Sequence, residues 1–135
     1  MSNNETKVGF RVHIESLCDK DYNDAFTYFL PILGKPEDLD EYKGKVEYFR
    51  YTGKYQAVKE YTHNMKDKIR WFVDYLVSES DGSDGGEYVL LSISQIQNIV
   101  SELIAKFGVS EKDIKLFSYT WYNGCDEPVY WEKPE

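Results

Sequence analysis

Glu87-Tyr-Val-Leu-Leu-Ser-Ile-Ser94 and the residues that follow it to Gly108 decide how the rest of the chain is read. The first eight form a short apolar run between a glycine-rich loop and a polar residue. Val89 and Ile93 are β-branched, and Val89, Leu90 and Leu91 are apolar in succession, which predicts a central strand covered on both sides. Ser94 then reads as a helix N-cap, with Gln97 three residues on completing a capping box. Ile96, Ile99, Val100, Leu103, Ile104 and Phe107 follow at helical spacing, and Gly108 supplies a left-handed stop.

On the N-terminal side, residues 78–86 (Ser-Glu-Ser-Asp-Gly-Ser-Asp-Gly-Gly) read as a flexible loop. Before it, Met65, Ile69, Phe72, Val73, Leu76 and Val77 form one stripe and predict a helix, with Asn64 and Asp67 as its start. Tyr55 to Thr62 reads as a strand returning from Lys45–Tyr51 across a Thr-Gly-Lys turn. The alternative is that it extends the following helix backwards, since Val58, Tyr61, Met65 and Ile69 also keep helical spacing. Lys7 to Glu15 alternates, with Val8, Phe10, Val12 and Ile14 on one face, as a half-buried strand does. Asp19 or Asp21 can cap a helix carrying Tyr22, Ala25, Phe26, Phe29, Leu30 and Leu33, which Pro31 should end or kink. Gly34-Lys-Pro-Glu-Asp38 is a loop.

On the C-terminal side, Val109 to Asp113 leads into a strand over Ile114–Tyr122. Asn123-Gly124 is a strong hairpin signal, and Val129–Glu132 would return against that strand. The expected fold class is α+β: a mixed or antiparallel sheet with about three helices, in the order β-α-β-(β)-α-β-α-β-β. If residues 55–62 are a strand, the start follows the ferredoxin-like order, and the chain closes on a β-hairpin. Residues 1–6 are expected to be a disordered start and 7–135 a single domain. A superfold of this kind carries many functions, so topology alone names none.

The chain has 135 residues, of which 41% are hydrophobic and 30% charged, the composition of a globular protein. It is long enough to bury a core without a metal or a disulfide as staple. No run approaches a membrane span, and the polar start Met-Ser-Asn-Asn-Glu-Thr is no secretory signal, so the expected location is the cytoplasm. The net charge of −8 hides a basic segment. Residues 43–70 hold 8 basic and 3 acidic side chains, against 4 and 9 in residues 1–42 and 4 and 12 in residues 71–135. Such acidity opposes nonspecific binding to DNA or anionic lipid and suits a basic protein surface. Twelve tyrosines are more than a core of this size can hold with their hydroxyls satisfied, so several belong at the surface.

Few residues point to chemistry. His13 and His63, the only histidines, have no partner at ligand spacing, so no metal is expected. Cys18 and Cys125 form no Cys-x-x-Cys pair and read as free thiols, and Asp126 and Glu127 beside Cys125 make it a poor nucleophile. The loop from Asp81 to Glu87 superficially resembles a calcium loop. Counting from Asp81, however, Gly85 falls at position 5 and Ser92 at position 12, where a bidentate carboxylate is needed. No glycine pattern for phosphate or dinucleotide is present, so no cofactor is expected.

Two stretches remain. Lys43, Lys45, Tyr48, Arg50, Lys54 and Tyr55 interleave cations with aromatics, a composition that can stack bases and hold phosphates. Lys45 and Glu47 stand where the RNA-recognition pattern needs aromatics. The terminal hairpin gathers Tyr119, Trp121, Tyr122, Tyr130 and Trp131 with Asp126 and Glu127, which is the composition of a protein-binding hot spot. The sequence therefore predicts a small, acidic, non-enzymatic inhibitor, immunity-type or adaptor protein that binds a basic partner surface through this hairpin. A nucleic-acid or nucleotide binder using residues 43–55 is the alternative, and a small-molecule enzyme comes third.

Overall fold

The fold is taken from a computed structural model, which describes residues 4–43, 46–51, 53–62, 68–80 and 89–122. Six strands form one antiparallel sheet: β1 (Asn4–His13), β2 (Asp38–Lys43), β3 (Val46–Arg50), β4 (Tyr55–Thr62), β5 (Lys68–Ser80) and β6 (Ile114–Tyr122). Two helices, α1 (Tyr22–Leu33) and α2 (Ile93–Phe107), complete the described elements, with short 3-10 turns at Glu15–Leu17 and Glu111–Asp113. The sheet order is β2-β3-β4-β5-β1-β6, so the first strand lies between the fifth and the sixth.

The class is α+β, but the expected order is corrected in three places. Residues 89–92 form no strand: Leu90 is 83% exposed, and the inner sheet positions are held by β3, β4, β5 and β1. Residues 81–88, including the start of the expected strand and the Asp81–Glu87 loop, lie outside the described residues. The helix expected from Asn64 to Val77 is instead, from Lys68 on, the 13-residue strand β5, which also takes in residues 78–80 of the expected loop; residues 64–67 lie outside the described residues. Trp71 and Val73 are buried on one side of it and Phe72 and Leu76 on the other. A strand buried on both faces is apolar at nearly every position, so a helical period fits it by accident. Its Ile, Val and aromatic content fits the pleat. The described helices are therefore two, and β2 occupies a segment with no expected strand. The result is β-α-β-β-β-β-α-β, which is not a ferredoxin-like start.

Other elements lie near their expected places, with shifted ends. Tyr55–Thr62 is a strand paired with β3 and β5. Asp21 caps α1 through the Asp24 amide, at 3.0 Å. Pro31 sits in the last turn, and the helix runs two residues past it to Leu33. A proline there removes only one late hydrogen bond. The capping box of α2 is Ser92 with Gln95, two residues ahead of the expected pair. Gly108 closes the helix in the left-handed conformation, φ 65°. β1 begins at Asn4, ahead of the expected Lys7.

The core lies between the helices and one sheet face. Phe10, Val12, Phe49, Ala57, Trp71 and Val73 meet Ala25 and Phe29 of α1 and Leu103 and Phe107 of α2. Ring contacts link the layers, such as Tyr22 edge-on to Phe49 at 4.4 Å and Phe29 to Phe107 at 6.4 Å. The Trp71 indole donates to the Lys20 carbonyl at 3.0 Å, so the largest buried side chain is satisfied. β1 meets β5 with a register shift between Val8 and Gly9. A Cβ on Gly9 would lie 2.1 Å from the Tyr75 carbonyl oxygen, so only glycine fits.

Candidate functional site

Among the described residues no helix covers the opposite face of the sheet, yet it is not a plain solvent face. Cross-strand register places Arg11 opposite Asp74, Gln56 opposite Asp74 and Arg50 opposite Gln56. Arg11 donates to Asp74 from Nε at 2.7 Å and Nη2 at 2.9 Å, a two-pronged ion pair. Gln56 Nε2 donates to the same carboxylate at 2.9 Å, and Lys7 Nζ donates to Gln56 Oε1 at 3.1 Å. Lys7 also lies 3.8 Å from Glu79, which takes both prongs of Arg50, one at 2.8 Å. Glu60 approaches Arg11 at 3.6 Å.

Asp74 is fully buried and Lys7 and Gln56 nearly so. Buried charge is tolerated only when paired and hydrogen-bonded, which this chain of contacts achieves. Aromatic rings complete the cover. The Arg11 guanidinium lies 4.8 Å from the Phe72 centroid and 4.9 Å from that of Phe117, and Arg70 lies 5.1 Å from Phe72. His13 tilts onto Phe72 at 5.3 Å. Partial burial, with the Arg70 cation beside it, lowers the His13 pKa from 6.5. Asp74 sits at the centre of this network, enclosed by Arg11 and Gln56.

A second cluster joins α2 to β4. The Tyr55 hydroxyl donates to Glu102. Burial, then this bond, raises the Tyr55 pKa, and burial with the nearby Glu102 carboxylate raises that of Tyr75. Lys106 lies over the Tyr55 ring at 5.8 Å and Lys54 over that of Tyr75 at 5.7 Å. These contacts fasten the helix to the sheet.

The expected site residues are only partly brought together. Tyr119, Trp121 and Tyr122 lie on β6 at the sheet edge, paired with Lys7, Glu5 and Asn4 of β1. Asp126, Glu127, Tyr130 and Trp131 lie outside the described residues, as does the Asn123-Gly124 turn. Of the basic aromatic set, Arg50 is clamped by Glu79 on the helix-free face. Tyr55 is buried on the opposite face, and Lys54 rests against Tyr75. Lys43 falls in β2 and Tyr48 in β3, while Lys45, His63 and Cys125 lie outside the described residues. Cys18 is a free thiol. Among the described residues no group of three His, Cys, Asp or Glu could hold a metal ion, and no helix is long and apolar enough to cross a membrane.

Sequence reading missed two features. The first is the ion network, whose only sequence signal was the spacing of Lys7 and Arg11 on alternate residues of an apolar strand. The second is a set of exposed apolar side chains: Leu90, Ile93 and Ile104 at α2, and Leu116 on β6. Leu116 pairs with buried Phe10 and so faces the helix side, yet it is 69% exposed, so the helices do not reach over β6 there. Searches against known protein families, curated proteins and solved structures return no match to this chain.

Proposed function

We propose that the chain is a non-enzymatic, acidic protein-binding module, of the inhibitor, immunity or adaptor kind, that docks on a basic surface of a partner. The observation behind this reading is that the sheet engages its arginines with its own carboxylates and rings. All three arginines, Arg11, Arg50 and Arg70, stand on the helix-free face. Two are clamped by carboxylates and the third lies over Phe72. Asp19, Asp21, Asp24, Glu111 and Asp113 stay exposed around the helices and turns. Hydrogen bonds hold Asp21 and Asp113 below the usual carboxylate range, so both stay charged. Along α2, exposed Ile93 and Ile104 sit among Ser94, Gln97, Asn98 and Ser101. Exposed apolar side chains together with an acidic surface suit docking on a basic protein. A partner surface that otherwise holds nucleic acid fits the same chemistry, with carboxylates standing in for phosphates.

The hot spot of this reading remains Tyr119, Trp121, Tyr122, Tyr130 and Trp131, with Asp126 and Glu127 steering association. The nucleic-acid alternative has less support, because Arg50 is paired with Glu79, Tyr55 is buried and bonded to Glu102, and exposed Lys54 lies over the Tyr75 ring. Affinity capture from the native host, with crosslinking mass spectrometry, tests the proposal. The expected result is a partner crosslinked through a Lys- and Arg-rich surface. Its capture should weaken as salt rises and when Asp126 and Glu127 are both replaced by Lys. Capture indifferent to salt and to that charge reversal would reject the reading. Retardation of single-stranded RNA by the isolated protein, abolished by Arg50→Glu, would favour the alternative instead.

A further inference from the structure

We infer that Arg70 and His13 form a binding site for a single phosphate group, beside Phe72 on the helix-free face. The three arginines of the chain share this face and are used differently. Arg11 forks onto Asp74 and Arg50 onto Glu79. Arg70 forms no ion pair among the described residues, and Glu60, its cross-strand neighbour, approaches Arg11 instead, at 3.6 Å. The Arg70 guanidinium lies 5.1 Å from the Phe72 centroid, and its Nε is buried with no acceptor among the described residues. A ring face attracts a guanidinium but offers its N–H groups no acceptor in their own plane. A buried N–H left unbonded is costly, and an oxyanion is the acceptor that the guanidinium fork matches.

His13 supplies the second contact. Register sets it opposite Phe72 on the neighbouring strand, and the two rings lie 5.3 Å apart. Arg70 and His13 therefore lie against one ring, and His13 is exposed, so the place is open to solvent. Burial, then the Arg70 charge, lowers the His13 pKa, and Glu15 pulls the other way. The other charged groups that register brings near are Arg11 on β1, Glu60 on β4 and Lys115 on β6, and Arg11 is already matched by Asp74. A carboxylate presents two oxygens, which one arginine fork takes up. A phosphate presents a third and so reaches Arg70 and His13 together. The net charge of −8 repels a polyanion more than it repels one small anion. This inference does not depend on the partner proposed above.

NMR of the full chain tests it, with inorganic phosphate as the probe and chloride at equal ionic strength as the control. A His63→Gln variant leaves His13 as the single histidine signal. Phosphate should shift that signal saturably and raise its midpoint, because a neighbouring anion favours the imidazolium. Arg70→Gln should remove both effects with circular dichroism unchanged. Arg70→Lys keeps the charge but loses the fork, and should weaken binding by about tenfold. Phenyl phosphate, titrated in the same way, distinguishes two sources of the group. Tighter binding than inorganic phosphate assigns the site to a phosphate ester, and equal or weaker binding assigns it to the free ion. No saturable shift of His13 beyond that seen with chloride overturns the inference. A saturable shift that persists at full strength in Arg70→Gln or Arg70→Lys overturns it as well, since the anion then sits elsewhere.

Discussion

The two faces of the sheet are both buried, but by different means. On the helix side, Trp71, Val73 and Phe49 are covered by α1 and α2, and burial removes apolar surface from water. On the other side no helix is present among the described residues, and Asp74, Gln56 and Lys7 are covered by each other, by Arg11 and by the rings of Phe72 and Phe117. The first face tolerates any shape that fills the space. The second works only as a complete set, because each member exists to satisfy another. Long cations lying flat across neighbouring strands thus help to cover this face.

Substitutions on the two faces should separate these mechanisms. Trp71→Ala should cost about 3–5 kcal/mol in urea unfolding, because it empties the largest buried volume and orphans the Lys20 carbonyl. Asp74→Ala should cost a comparable ~3–5 kcal/mol although far less volume is lost, since Arg11 and Gln56 both lose the buried carboxylate they donate to. Arg11→Met with Asp74→Leu should recover most of that loss. If the double variant is as unstable as the single one, shape and not charge governs this face, and the contrast fails.

Smaller effects refine the comparison. Leu103→Ala should cost about 2–5 kcal/mol, since Leu103 is fully buried on the core side of α2. A value below about 1 kcal/mol would mean that α2 is poorly packed. Tyr55→Phe should cost only about 1 kcal/mol, because exposed Glu102 can turn to water when the hydroxyl is gone. The smallest effect is at His13. An NMR titration should place its midpoint below 6.5, since burial and then Arg70 disfavour the imidazolium. The unfolded chain then takes up the proton first, so stability contributed at this site is present above pH 6.5 and is lost as pH falls through the folded value. A midpoint at or above 6.5 would show that His13 stands clear of Phe72 and Arg70.

The parts of the fold that were legible in the sequence are those buried on one side. β1 alternates, α1 and α2 carry caps and stripes, and β6 follows a clear connector, so their patterns have a period to detect. β5 failed the same method because it is buried on both sides, and two overlapping period-2 patterns look like none. The run at Val89–Leu91 failed for the converse reason. It has the composition of a central strand, but the central places were taken by strands whose partners lie far along the chain. The candidate site was legible as composition only. That Arg50 serves Glu79 and Tyr55 serves Glu102 depends on pairings 29 and 47 residues apart, which no local window contains.

The place of β1 also bears on how the protein comes to be folded. β1 is made first, yet Arg11 finds Asp74 63 residues later, and its other neighbour, Lys115, follows after on the order of a hundred. The β2-β3-β4-β5 meander can assemble as it leaves the ribosome, each strand finding its neighbour nearby. β1 must wait for β5, and the finished sheet must wait for β6. Contacts of such long range make folding slow, and until they form the Lys7–Arg11 strand offers both of its edges to other chains. The nascent protein is thus most exposed to mispairing at its first-made strand, over the whole interval of its own synthesis.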